Sequence, residues 1–167
     1  MSASPSASFL PCGDTANAPR LRRATDNDRN RVVEIQFAAY AKNRKLLGLE
    51  PLPLLVDYEE IFATHEVWLF DADDGNAIAS LILEVRDDDL LIFSVATDPD
   101  RQATGFGRKL LAASDIRTRQ LGHTTVRLYT GSTLQHLVDW YGRHGFAVER
   151  IEQLDDRAIT LMVKHLN

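Results

Sequence analysis

The sequence predicts a single α/β domain, a mixed and mostly antiparallel sheet flanked by helices, with elements in the order β α α β β β α β α β β. Three observations carry this. Between residues 66 and 97, apolar runs alternate with short polar breaks at the spacing of strands and hairpins. At Gly105 the apolar period changes to three and four residues, which is helical. A strand and a helix then follow again before two closing strands, and no internal repeat runs through the chain.

The elements follow in order. "LRRAT" (21–25) is a short strand, after which Thr25 or Asp26 can cap a helix whose Val33, Phe37 and Tyr40 recur at i, i+4 and i+7. Gly48, Pro51 and Pro53 break that helix and make an irregular, partly apolar connection. Asp57, with Glu60 three residues on, fits the cap of a short second helix. "EVWLFDADDGNAIASLILEVRDDDLLIFSVATDP" reads as an antiparallel meander of three strands, divided by "DADDGN" and "RDDD". The acidic residues Asp71, Asp73 and Asp74, and Asp87 to Asp89, are expected in solvated hairpin turns.

Phe106, Leu110, Ala113 and Ile116 then define a third helix that stops at Leu121-Gly122. "HTTVRLYT" supplies another strand. "TLQHLVDWYGRHG" gives a helix with Leu134, Leu137, Val138 and Tyr141 on one face, closing at Gly145. Strands near 146–151 and 157–164 complete the order.

The 167 residues are 44% hydrophobic and 26% charged, enough for one substantial core. A net charge of −5 argues against a surface made for nucleic acid or for an anionic membrane, so any anion site must be local. No stretch approaches the roughly 18 apolar residues of a membrane span. Cys12 is the sole cysteine, which removes intramolecular disulfides and cysteine-based metal sites and suits a reducing compartment. A cytoplasmic location is expected. Residues 1–19, rich in Ser, Ala and Pro but without a basic start or long apolar run, read as a disordered tail, with the folded domain at 20–167. The five histidines show no metal-binding spacing, and no metal site is expected.

"QATGFGRKLL" (102–111) carries the clearest chemical signal. It joins a strand ending at Asp98-Pro99 to the third helix, where several backbone N–H groups lie unpaired at the positive end of the helix dipole. Such a turn suits phosphate, and its glycines let a ligand approach the backbone. The same glycines also serve an ordinary strand-to-helix turn. Gly105 and Gly107 are too close for a P-loop, and Leu110 stands where a dinucleotide fingerprint has its third glycine.

"SVATDPDRQATGFGRKLL" resembles the acetyl-CoA binding segment of the GNAT superfamily of N-acetyltransferases, V-x-P-x-x-[RQ]-x-x-G-x-[GA]. "LYTGSTLQHLVDWYGRHGF" resembles a second family segment, a strand and then a helix ending in Tyr before Gly-Phe. The likeness covers about residues 20–166 in element order. It implies acetyl-CoA as cosubstrate, with the pyrophosphate on the backbone amides of Gln102, Ala103, Thr104, Gly105 and Gly107 beside Arg108. It places the pantetheine arm along Val95, Ala96 and Thr97, where the Val95 amide would also face the thioester carbonyl. Tyr141 matches the family tyrosine near the coenzyme A sulfur, and its phenol, ordinarily of pKa roughly 10, would act as general acid.

The implied reaction is direct transfer of an acetyl or short acyl group to a primary amine, either a small molecule or a protein lysine. Two departures from the family pattern are Leu134, where many relatives carry Asn, and Thr97, where the pattern has Val. The strand at 90–95 also lacks the glutamate that relatives often use as base. Glu84 on the preceding strand is the candidate, alongside a chain of waters. Asp57, Glu59 and Glu60 border the expected acceptor side and would draw a cationic amine. The missing carboxylate and Leu134 also fit a non-catalytic acyl-CoA-binding regulatory module. The oligomeric state stays open, a homodimer being one option.

Overall fold

The computed structural model describes residues 21–101 and 105–167. The tail and the turn residues Gln102, Ala103 and Thr104 lie outside them. The element order matches the expectation: β1 (Leu21–Arg23), α1 (Arg29–Leu47), α2 (Tyr58–Thr64), β2 (Glu66–Asp71), β3 (Ala77–Val85), β4 (Leu90–Thr97), α3 (Phe106–Gln120), β5 (Thr125–Gly131), α4 (Gln135–Arg143), β6 (Ala147–Gln153) and β7 (Ala158–His165). The strands form one seven-stranded sheet in the order β1-β2-β3-β4-β5-β7-β6. Every pairing is antiparallel except β4 with β5.

Two apolar layers cover the sheet. On one face Leu81, Leu83, Leu90, Ile92 and Leu128 pack against Phe106, Leu110 and Leu111 of α3 and half-buried residues of α4. On the other, Val67, Leu69, Ile82 and Ala96 meet Val32 and Ile35 of α1 and Ile61 of α2. Burying these side chains contributes about 1.5–3 kcal/mol each.

Three local expectations are corrected. Asp28, not Asp26, stands directly before α1, because a 3₁₀ turn at Asp26–Asp28 intervenes; Thr25 and Asp28 close that turn reciprocally. Phe37 is 41% exposed, since the buried stripe of α1 runs through Val32, Ile35 and Gln36, and a helix turns about 100° per residue. Asp89 is no solvated turn residue. It is 4% exposed and accepts from Arg86 at 2.6 Å and from Arg127. These partners hold its carboxyl below the ordinary carboxylate range, the Arg86 hydrogen bonds first.

That ion cluster fixes the geometry that matters for function. Arg127 also binds Glu149, so the cluster clamps one end of the β4–β5 junction. There the two strands pair over only Leu90–Ile92 against Val126–Leu128. Immediately beyond, Phe93 is an extra residue in β4, because Ile82 pairs with Ser94 but Leu83 with Ile92. A bulge bends its strand. With one end clamped and the next residue bulged, β4 and β5 separate and leave a cleft in the middle of the sheet.

Candidate active site

Two hollows occupy this cleft. A partly open pocket of about 660 Å³, solvent-facing space included, is lined by residues 92–95 of β4, 128–131 of β5, the connection at Pro51–Pro53, and Leu134, Leu137 and Tyr141. An open groove of about 1400 Å³ runs along Thr97, Arg101, Gly105, Phe106, Gly107 and Arg108 and across α4. Tyr40, Asn43, Val95, Leu137 and Tyr141 line both, so they mark the junction.

The groove is built from the opening turn of α3. Gly105 caps the helix with φ +84°, a left-handed conformation that favours glycine. Gly107 is there for a different reason: a Cβ at this position would stand 3.1 Å from the Trp140 ring. The first turn of α3 therefore lies close against α4, with its early N–H groups at the groove. Lys42, Arg101, Arg108, His136 and Arg143 also line it, and no carboxylate does among the described residues. In an acidic chain this is a local basic surface, gathered from α1, the 3₁₀ turn that ends at Arg101, α3 and α4.

The phenol of Tyr141 stands at the junction between Trp140 and Phe146, with ring centroids 5.0 and 6.0 Å away. Burial pushes its pKa well above the ordinary tyrosine value, with Tyr40 adding to the shift, so it stays protonated at neutral pH. Val95, half-buried, presents its backbone at the same place. Ala96 is turned into the α1 face of the core, and Thr97 lies at the groove.

A buried polar chain lies beneath the junction. Gln36 Nε2 donates to Ser80 Oγ at 2.7 Å, Ser94 Oγ donates to Gln36 Oε1 at 2.7 Å, and Tyr40 is 2.9 Å from Ser94 Oγ. Since the Ser94 proton is committed to Gln36, the Tyr40 hydroxyl donates to Ser94. Tyr40 is thereby oriented, and burial pushes its pKa up. Sequence reading gave Tyr40 only as a helix-face residue and passed over Gln36, Ser80 and Ser94. A Gln on the apolar stripe of α1, with a Ser among the apolar residues of each of two strands, was the available signal.

Glu84 lines neither hollow, although its charge helps to raise the pKa of Tyr129, which lines the cavity. Asp57 caps α2 by accepting from the Glu59 N–H at 2.9 Å. It, Glu59 and Glu60 also stand outside both linings. The wall of the cavity is instead fastened by Tyr58, which donates to the Pro53 carbonyl at 2.7 Å, and by Arg157, which donates to the Glu50 carbonyl at 2.6 Å.

The acetyltransferase (GNAT) family matches residues 30–146, most of the chain, and the chain belongs to it. It is 28% identical over 108 residues to the uncharacterized N-acetyltransferase YvbK of Bacillus subtilis (strain 168), covering 64% of this chain and 68% of that one. It is also 28% identical over 147 residues to a mycothiol acetyltransferase of Propionibacterium freudenreichii subsp. shermanii, covering 77% of this chain but only 43% of that one. The structure of PaiA N-acetyltransferase from Thermoplasma acidophilum in complex with coenzyme A superimposes with a TM-score of 0.70 at 15% identity, over 89% of this chain and 99% of that one. The class is thus that of acetyl-CoA-dependent N-acetyltransferases. Among the described residues no cluster of metal-binding side chains occurs and no helix is long and apolar enough to cross a membrane.

Proposed function

We propose that the groove holds acetyl-CoA and the more apolar cavity the acceptor amine, with transfer at the junction by direct attack. The single observation that supports this most is the meeting of a basic groove with an apolar cavity at Tyr141 and Val95. Lys42, Arg101, Arg108 and Arg143 match the phosphates of coenzyme A, and the α3 amides, including Gly105 and Gly107, supply further donors. Gln102, Ala103 and Thr104 belong to the same proposed phosphate turn. The pantetheine arm runs beside Val95, Ala96 and Thr97.

In the reaction the amine nitrogen attacks the thioester carbonyl carbon, forming the C–N bond as the C–S bond breaks. Negative charge grows on the carbonyl oxygen and faces the Val95 amide. Tyr141, kept neutral by burial, gives its proton to the departing sulfur. The nitrogen releases its extra proton to water, and Tyr141 regains one from solvent. Glu84, outside both linings, takes no direct part in this scheme.

The test is twofold: calorimetric titration with acetyl-CoA, and coenzyme A thiol release across a panel of primary amines. Tight acetyl-CoA binding with amine-dependent thiol release is expected. Binding without release for every amine would leave an acyl-CoA-binding module in its place.

A further inference from the structure

We propose that the acceptor is a small monoamine whose apolar body separates its amine from a carboxylate, in chemical class an ω-amino acid, with its amine at Tyr141 and its carboxylate on Arg157. This rests on reading the cleft as an acetyltransferase site. The cavity lining contains no Asp, Glu, Lys or His among the described residues, and Arg157 is its one formal charge. Leu47, Leu52, Pro53 and Leu128 supply apolar walls. Tyr141 and Val95 line both hollows, whereas Arg157 lines the cavity alone, so the cation lies away from the reacting junction.

Arg157 is held in place and retains donors. Its Nε and Nη2 donate to Asp156 at 2.9 and 3.0 Å, and its Nη1 to the Glu50 carbonyl at 2.6 Å. A guanidinium has five N–H donors, so these bonds leave two for a ligand. Its side chain is 9% exposed while that of Asp156 is 63% exposed, so Asp156 sits on the solvent side and leaves the inner side to a substrate anion. Planar two-point recognition of a carboxylate is what arginine does best.

The same lining selects against polycations. A second ammonium would lose hydration in a largely apolar space whose lining offers no carboxylate and already holds a guanidinium. The lone reacting amine meets the same penalty, which favours its neutral, nucleophilic form. This accounts for a cavity with no side-chain base.

The decisive measurement is coenzyme A thiol release with 5-aminopentanoate and 6-aminohexanoate, set against butylamine, pentylamine, spermidine and a lysine peptide. The amino acids are expected to lead their decarboxylated counterparts by roughly 10-fold or more in kcat/KM, with spermidine and the peptide inert. Arg157→Met should raise KM for the amino acid by roughly 10- to 100-fold while KM for acetyl-CoA stays unchanged, and Arg157→Lys should recover part of the loss. If Arg157→Met melts, the wild-type comparison and Arg157→Lys carry the test.

Equal use of amine and amino acid, preference for spermidine or the peptide, or an unchanged KM in Arg157→Met would overturn the proposal. So would acetyl-CoA binding in calorimetry with no amino acid acetylated, which leaves the acetyltransferase reading standing. Failure to bind acetyl-CoA would instead remove that reading and this one together.

Discussion

The groove beside α3 is ringed by Lys42, Arg101, Arg108 and Arg143, whereas the cavity that adjoins it holds Arg157 alone among largely apolar walls. Both meet at Val95 of β4 and Tyr141, so their position in the backbone does not explain the difference. The side chains do. A coenzyme with several phosphates is strongly hydrated and suits an open surface rich in donors, where charge is cheap to place. An amine that must attack as a neutral nucleophile suits the opposite, a largely apolar space that disfavours its charged form. Tyr141 stands where the two environments touch, and burial keeps its proton in place.

The largest expected effect is at this boundary. Tyr141→Phe should lower kcat by roughly 10²–10⁴-fold while acetyl-CoA affinity changes little, as steady-state kinetics paired with calorimetry will show. Unchanged turnover would remove the phenol from the chemistry.

On the groove side, Gly107→Leu should weaken acetyl-CoA binding by roughly 100-fold or more, because even its Cβ meets Trp140 at 3.1 Å and the larger side chain must displace that ring or enter the groove. The cavity-side change Leu52→Trp should instead raise KM for the amine and spare cofactor affinity. If both changes struck the same ligand, the division into two sites would fail.

A smaller effect separates the sites by salt. Replacing Lys42 and Arg143 with Gln should weaken acetyl-CoA binding by about 10-fold at low ionic strength and flatten its salt dependence, while KM for the amine is untouched.

The pH dependence is the finest discriminator. The phenols of Tyr40 and Tyr141 both have pKa values raised by burial, so their protonated forms, and any function as donors, persist through the ordinary tyrosine range. A kcat/KM profile should rise as the acceptor amine loses its proton and show no descending limb below pH about 10. The matching stability contribution is present below the unfolded phenol's pKa of about 10 and is lost as pH rises beyond it. Far from both sites, Arg22 lowers the Asp28 pKa from 3.8 to about 2. That contribution is present above pH 3.8 and disappears as pH falls toward 2, which acid melting of Asp28→Asn against the parent would register as a small difference.

The order of elements was legible because each is written in local chemistry. The meander at 66–97 declares itself by apolar runs and acidic breaks, and α3 by its change of period at Gly105. Family spacing singled out Tyr141 and the Gly105–Gly107 turn, and in the structure the two glycines serve different ends, one conformational and one steric. Asp89 was misread because "RDDD" looks alike whether its last residue faces water or two guanidiniums. Arg127, 38 residues away, decides that. Phe37 was misread because an apolar residue beside a buried stripe looks like part of it, and only the packing surface fixes which 100° of the helix is covered.

By itself, then, the sequence determined the strands and helices, the glycine turn and the family chemistry, since all of these follow from neighbours in the chain. The tertiary structure decided which cations surround the groove, which walls exclude carboxylates from the cavity, and how Gln36, Ser80, Ser94 and Tyr40 join into one chain. Those arrangements bring together residues as far apart as Lys42 and Arg143, or Glu50 and Arg157. Charge and desolvation act through space, and the space exists only once β4 bulges at Phe93 and parts from β5.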